Sequence, residues 1–306
     1  MYGIINKVNY KKGFFLKKLN LLLFLLTTIT FAKPLQIEDI LTDKNKFKLN
    51  STISYTNIDT KSINTKFVKY DISENNSITI PIVSGENLAD TDYLNFSLDL
   101  KYGISKKLEL FSFVNFYYSK NRYSLNDNFS NNSESDFNSF GIGLSYEIKS
   151  EDEYPSLLIG LSTQAIEKTK FYEFTNNNYF RNTSLFATSF YTSDPIVFLL
   201  NLSYQLNFDK KINNQTLNNA NVLNISPQIY FAVNPYTSLN LGVKYSYSSK
   251  DKINNINVSN SSSDIMFLFG VGYEINSKSI ISVDTDFTNS SNYSQNSIAF
   301  TYSYKF

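Results

Sequence analysis

Apolar residues occupy every second position in a series of blocks that begins near residue 47. In one block Leu94 and Phe96 alternate with Asn95 and Ser97. Because the side chains of a β-strand point alternately to its two faces, each apolar row lies on one side of a strand. Similar rows begin at Phe140, Ile196, Leu239, Ile265 and Ile298. The pattern predicts an all-β protein.

The blocks are about 9–12 residues long, the length of a tilted strand that crosses a bilayer. Five connections between them are short, at residues 103–107, 149–154, 192–195, 234–237 and 276–279. Six are long and polar, near residues 59–91, 119–136, 167–182, 208–220, 249–262 and 288–296. Short periplasmic turns that alternate with long extracellular loops are typical of bacterial outer-membrane barrels. We therefore predict a transmembrane antiparallel β-barrel of twelve strands at residues 47–306, with both ends periplasmic.

Two segments leave alternatives open. Residues 77–83, in the longest loop, alternate like a strand. They either extend the first hairpin above the membrane or fold inward and narrow the pore, and the strand count becomes fourteen if the 59–91 loop adds a hairpin to the wall. Residues 33–46 form a periplasmic N-terminal segment with apolar residues among charges, either a short helix or a small plug.

The N-terminus has the pattern of a secretory signal peptide. Residues 1–32 contain five lysines and no acid, followed by the apolar run 19–26 and the small-residue site Thr30-Phe31-Ala32. A basic start, a short apolar middle and a small residue at the end are typical of a cleaved leader. We predict cleavage after Ala32 and export to the bacterial outer membrane. A single membrane anchor is the alternative, but the apolar run is short for one.

The last block ends on an aromatic residue. Phe300, Tyr302, Tyr304 and Phe306 alternate with small or polar residues, and Phe306 is the last residue. Such a strand resembles the signal that the barrel-assembly machinery recognises. We therefore expect these four residues to direct assembly.

Composition excludes several kinds of chemistry. The chain has no His and no Cys, so it can build neither a Ser-His nor a Cys-His nucleophile, nor a zinc site of those ligands. Without residues 1–32, 23 Lys and Arg stand against 27 Asp and Glu. This acidic balance argues against a nucleic-acid partner. We expect no enzyme activity, no catalytic residue, no metal and no cofactor.

The positions between the apolar rows face the barrel interior if the rows face lipid. The charged residues there are the candidate lining of the lumen: Asp99, Lys101, Glu109, Glu147, Lys244, Glu274, Asp284, Asp286 and Lys305. Pairing across the 103–107 turn predicts Tyr102 opposite Leu108 and Lys101 opposite Glu109, which makes a cross-strand ion pair. It is either a structural ion pair at the periplasmic mouth or part of a selectivity lining. Asp284 and Asp286 share one face.

Two hairpins resemble one barrel family. The segments Tyr102-Gly-Ile-Ser-Lys-Lys-Leu-Glu-Leu-Phe111 and Ser226–Tyr245 are similar to periplasmic hairpins of the family named for the meta-pathway of phenol degradation, found in Campylobacter-like bacteria. The resemblance extends as a loose pattern over most of the mature chain. It implies an outer-membrane barrel that is a channel for small or aromatic molecules.

The sequence predicts a passive channel or transporter for small solutes, with a mild preference for cations because the inward acids outnumber the inward lysines. The alternative is a structural or adhesive surface barrel whose lumen is largely filled and whose function lies in its loops. The expected partners are outer-membrane lipid, lipopolysaccharide, the barrel-assembly machinery and small solutes.

Overall fold

The computed structural model describes residues 40–60, 66–73, 76–82, 89–125, 128–171, 174–290 and 293–306. The predicted signal peptide at residues 1–32 and residues 33–39 of the N-terminal segment lie outside this range. All regular elements within it are strands, numbered in chain order. Among the described residues, no helix is long and apolar enough to cross a membrane.

Twelve of the described strands form a closed antiparallel barrel, as predicted. Each pairs with its neighbours along the chain, and the circle closes where the first strand pairs with the last. The wall strands are β1 (Phe47–Thr60), β4 (Ala89–Gly103), β5 (Leu108–Leu125), β6 (Asn128–Lys149), β7 (Leu157–Phe171), β9 (Asn182–Ser193), β10 (Ile196–Asn207), β13 (Val222–Asn234), β14 (Thr237–Ser248), β17 (Ser262–Asn276), β18 (Ser279–Asn289) and β19 (Tyr293–Lys305). Closure pairs the edge strands that lipid would otherwise leave without hydrogen-bond partners.

Seven further strands lie in the connections at the end opposite the short turns. They are β2 (Lys66–Ser73), β3 (Asn76–Ile82), β8 (Phe174–Asn178), β11 (Lys210–Ile212), β12 (Gln215–Asn218), β15 (Lys252–Ile253) and β16 (Ile256–Asn257). β2 and β3 pair only with each other and add nothing to the wall, so the strand number is twelve rather than fourteen. β11, β12, β15 and β16 form one sheet, because β12 pairs with β15 of the next connection.

The polar segment near residues 119–136 is strand rather than irregular loop. β5 and β6 stay paired up to Leu125 and Asn128, so this hairpin projects well beyond its neighbours. Its polar side chains connect across strands: Tyr117 donates a hydrogen bond to Glu134 at 2.6 Å, and Lys170 and Lys168 of β7 form ion pairs with Glu134 and Asp136. Such cross-strand contacts continue the ladder that the transmembrane part begins.

One register prediction was wrong. Tyr102 pairs with Leu110 instead of Leu108, and Lys101 lies opposite Phe111 instead of Glu109. β4 extends to Gly103 because the N-terminal segment hydrogen-bonds to it: Asn45 N–H donates to the Gly103 carbonyl at 2.7 Å, and Gly103 N–H donates to that of Lys46 at 3.2 Å. This additional backbone partner moves the turn to residues 104–107.

Candidate functional site

The two faces of the wall differ sharply in chemistry. The predicted lipid-facing residues Leu100, Leu200 and Phe267 expose 43%, 40% and 51% of their surface, although each is large and apolar. The residues between the exposed positions are mostly buried and polar, such as Ser97, Asn115 and Ser145. Apolar outside and polar inside is the reverse of a soluble protein and suits a barrel surrounded by lipid.

Aromatic side chains surround the end with the short turns. Tyr146, Tyr154, Tyr236 and Tyr273 are among the most exposed aromatic residues and lie at or beside those turns. The outward positions at the end of β19 include Phe300, Tyr302 and Tyr304, and Phe306 follows the strand directly. The rings of Tyr304 and Phe306 meet edge to face, with centroids 4.8 Å apart. Amphipathic rings favour the headgroup level of a bilayer.

The nine charged residues predicted to line the lumen all alternate with the outward rows, and none is exposed. Asp99 and Glu109 are buried, and the other seven are partly buried. The structure brings Lys101 and Glu109 together, with Nζ 3.6 Å from Oε1, although they contact diagonally and not as directly opposed residues. Lys48, which sequence reasoning did not select, lies opposite both Lys101 and Lys305. Three lysines therefore form a row near the short turns.

The end of the N-terminal segment enters the mouth of the barrel. Thr42 is buried, and its backbone N–H donates to Glu109 Oε2 at 2.7 Å. A Cβ atom on residue 103 would lie 2.1 Å from the Asp43 carbonyl oxygen, so only glycine lets the segment approach β4 so closely. The plug alternative therefore describes residues 40–46 better than the helix alternative. The segment borders a cavity of about 290 Å³ that Glu147 also lines.

One inward wall is apolar, which sequence reasoning missed. Phe111, Phe113, Leu158 and Phe186 form a buried cluster, and Ile40 and Leu41 of the N-terminal segment pack on it. The phenylalanine rings lie over glycines of neighbouring strands: added Cβ atoms at Gly143, Gly141 and Gly160 would stand 2.2, 2.1 and 2.0 Å from ring carbons. The sequence did contain one signal for this wall, which is glycine at inward positions of β6. A glycine leaves room for an aromatic ring of the neighbouring strand to lie flat over it.

The opposite wall carries the paired acids. Asp284 accepts a hydrogen bond from Ser282 at 2.9 Å, and Asp286 accepts one from Gln295 at 3.4 Å. Asp284 also reaches across β17 toward Asn240 of β14, since both side chains fold over Gly270. Among the described residues, no group of three or more acids could hold a metal ion.

The β2–β3 hairpin reaches into the lumen, which is the inward alternative of the sequence analysis. Asn76, the first residue of β3, is buried against the wall. Its amide nitrogen donates to Asn115 Oδ1 at 2.8 Å and to Ser97 Oγ at 3.0 Å, and its amide oxygen accepts from Asn115 Nδ2 at 2.8 Å. The contact lies deep in the barrel, because Ser97 and Asn115 belong to the halves of β4 and β5 that are nearer to the short turn between these strands.

The loops at the other end form an ordered layer. Lys210 of β11 is completely buried, and its Nζ lies 2.5 Å from Glu167 Oε1 of β7. Ile212 and Leu217 are buried next to it. A buried ion pair that joins a loop strand to the wall fixes this layer in position.

A cavity of about 850 Å³ lies on the outer face. Leu200, Pro227, Ile229, Leu241 and Phe267 are among its lining residues. The β13–β14 ladder is interrupted between Ile225 and Gln228, because Pro227 has no N–H to donate. The groove is lined mainly by lipid-facing side chains, so we assign it to lipid contact rather than to the lumen.

The fold and the two faces define an integral β-barrel of the outer-membrane type. Residues 159–306 match the family described as outer membrane protein beta-barrel domain. The match supports an outer-membrane location. The chain matches no curated protein.

Solved structures give the same fold. An outer membrane channel from Pseudomonas putida F1 is 12% identical over 84% of this chain and 96% of its own, with a TM-score of 0.55. The transport unit of the autotransporter AIDA-I from Escherichia coli is 11% identical over 95% of this chain and 98% of its own, with a TM-score of 0.51. At these identities the likeness concerns the fold alone.

Proposed function

We propose that the protein is a passive outer-membrane channel for small solutes. The observation that carries the proposal is a closed barrel whose buried inner face is polar along most strands. In a membrane, such a face is favourable only beside water or other polar groups. The similarity in fold to an outer membrane channel supports the same function.

The lumen restricts what passes. Residues 40–46 occupy the mouth near the short turns, and the Asn76 contact obstructs the middle. Both segments narrow the lumen, so we expect only small solutes to pass beside them. The wall of Phe111, Phe113 and Phe186 also suits small aromatic molecules. This agrees with what the resemblance to the phenol-degradation family implies.

Charge selectivity is a finer part of the proposal. Asp284 and Asp286 lie on one inward face and attract cations to that side of the lumen. The lysine row of Lys48, Lys101 and Lys305 acts against this at the mouth, although Lys101 is paired with Glu109. We expect the result to be a mild cation preference.

Conductance in planar bilayers tests the channel function. The refolded mature protein should give small, discrete current steps. Deletion of residues 33–46 should enlarge them, because residues 40–46 of that segment occupy the mouth. Heat-modified gel mobility shows whether the deletion variant has folded. If the folded deletion variant carries no current and passes no solute in liposome swelling, the channel proposal is wrong.

The second candidate is a surface barrel that acts through its loops. The four-stranded loop sheet and the buried Lys210–Glu167 pair favour it, since ordered loops present a fixed surface. Cells that carry a barrel with a deleted β11–β12 hairpin would then lose surface adhesion but keep solute permeability. A protein that acts only as a channel would show no change in adhesion after the same deletion.

The remaining partners follow from the outer surface. We propose contact with lipid and lipopolysaccharide through the apolar rows, and recognition by the barrel-assembly machinery through Phe300, Tyr302, Tyr304 and Phe306. Deletion of Phe306 should slow insertion in cells more than it slows refolding in pure lipid, where no machinery acts.

A further inference from the structure

The Asn76 carboxamide is held in the lumen like a bound ligand. Both of its polar atoms are hydrogen-bonded: the nitrogen donates to Asn115 and Ser97, with a longer contact of 3.4 Å to Asp99, and the oxygen accepts from Asn115. Asn115 is fixed in turn by donating to Ser139 Oγ at 2.9 Å. The wall groups that surround the carboxamide, Ser97, Asp99, Asn115 and Ser139, are here called the amide site.

A reciprocal pair of amides distinguishes the amide site from ordinary packing. The two amides of Asn76 and Asn115 form a reciprocal pair, with 2.8 Å in both directions. This geometry needs a bound group that carries a donor and an acceptor on the same carbon atom. A primary amide and a urea both have such a pair. A carboxylate lacks the donor and meets the negative Asp99, while an alcohol has one polar atom where the site uses two.

The middle of the adjoining wall, formed by β4, β1 and β19, carries uncharged polar side chains whose hydrogen bonding is incomplete. Within the described residues, eight buried side-chain atoms on these strands have no partner. Five of them lie together: both amide atoms of Asn95, Ser54 Oγ, Thr56 Oγ1 and Ser297 Oγ. These residues are contiguous, since Ser54 pairs with Asn95 and Thr56 pairs with Ser297. Buried polar groups without partners disfavour a dry closed state relative to one in which water or solute reaches them.

We propose that the amide site binds solutes with a primary carboxamide or a urea group, and that Asn76 fills it from within until such a solute displaces the β2–β3 hairpin. The solute class rests on the proposed channel function, because the solute must enter the lumen. Displacement exposes Asn95 and its unpaired neighbours, which then line a neutral, hydrogen-bonding path. Asn76 is thus both an obstruction and an internal copy of the ligand.

Thiol labelling tests this without relying on transport. The chain has no cysteine, so Asn95→Cys introduces a single reactive group, buried on β4 two residues from Ser97. In the folded variant, in liposomes, acetamide should raise the rate of reaction with N-ethylmaleimide several-fold and in a saturable way. N,N-dimethylacetamide, which cannot donate, and acetate, which is charged, should leave the rate unchanged at equal concentration.

A second substitution separates the site from general loosening. Asn115→Leu in the Asn95→Cys background should make labelling fast and independent of acetamide, because the reciprocal pair is lost. Asn201→Leu is the matched control: Asn201 is an amide on another wall that accepts from Thr188 at 2.8 Å. It should keep the acetamide response. Heat-modified gel mobility shows whether each variant has folded.

The outcomes distinguish the two proposals. An acetamide response without solute flux would support the amide site and contradict the channel function. Solute flux without an acetamide response would support the channel and overturn the amide site. Labelling that stays absent in all conditions, or that rises equally with N,N-dimethylacetamide, would also overturn the amide site.

Discussion

Phe113 and Gly141 lie directly opposite each other on β5 and β6, and the phenylalanine ring covers the glycine so closely that a Cβ atom there would stand 2.1 Å from Cζ. Phe111 and Gly143 repeat the arrangement two residues on. The apolar wall of the lumen is thus specified by pairs across two strands.

Gly141→Ala should destabilise the barrel by about 1–3 kcal/mol, because the added methyl group forces the Phe113 ring from its position. Urea titration of the protein in lipid vesicles measures the change. The double variant with Phe113→Ala should recover part of the loss, since the smaller side chain leaves room. Equal destabilisation in the single and double variants would mean that the ring does not cause the effect.

Leu200→Arg should cost about 2–4 kcal/mol for folding into a bilayer, because an arginine near the midplane on the lipid face loses its hydration. Ser203→Arg is the control, since Ser203 points inward on the same strand. The lipid-facing assignment of β10 predicts a much smaller cost for the control, in the same urea titration. Comparable costs for both variants would contradict it.

Thr42→Pro should raise single-channel conductance, because proline removes the N–H that donates to Glu109 and so loosens residues 40–46. Thr42→Ala keeps that N–H and should behave like the unchanged protein. Planar-bilayer recordings of the two variants decide the matter. Identical currents would show that this hydrogen bond does not hold the segment in the mouth.

Asp284→Asn together with Asp286→Asn should shift the reversal potential in a salt gradient away from cation preference. The shift should be larger at low salt, where screening of the carboxylates is weaker. Asp194→Asn with Asp209→Asn removes the same charge from exposed connections and should have little effect. An anion-selective unchanged protein would refute the proposed role of the two acids.

Lys210→Met should destabilise the loop layer by about 3–5 kcal/mol, because it leaves Glu167 charged and buried without its partner. Faster protease cleavage near residues 208–220 would reveal the change. Adding Glu167→Gln should restore much of the resistance, since no uncompensated charge remains. A double variant as sensitive as the single one would indicate that packing, not charge, holds the layer.

The strands could be predicted from the sequence because lipid imposes one simple rule: every second residue of a spanning strand must be apolar. That rule identifies the exposed rows of Leu100, Leu200 and Phe267. It gives no information on the inner face, where Phe111 and Phe113 pack against glycines and Asn76 arrives from a distant loop. Register also depends on such partners, since the segment at Asn45 extends β4 to Gly103 and shifts Lys101 relative to Glu109.

The connections were harder to predict for a related reason. The strands β11, β12, β15 and β16 are polar and too short to show an alternating pattern. Their structure comes from pairing between two different connections. Lys210 in particular is a charged residue that sequence reasoning would place in solvent, yet Glu167 of another element allows its burial. Contacts of this kind depend on which elements lie close together in the fold, and the local alternation of apolar and polar residues does not predict that.

The pairing of β1 with β19, which runs in register from Lys48 opposite Lys305 to Thr60 opposite Tyr293, also orders the biogenesis of the protein. The first strand to be exported must wait for β19 before its free edge has a partner. Until then the nascent sheet has two unpaired edge strands, whose free backbone groups can pair with any neighbouring strand. A chain without β19 would therefore leave β1 and β18 each with an unpaired edge, so this one strand decides whether the sheet becomes a cylinder.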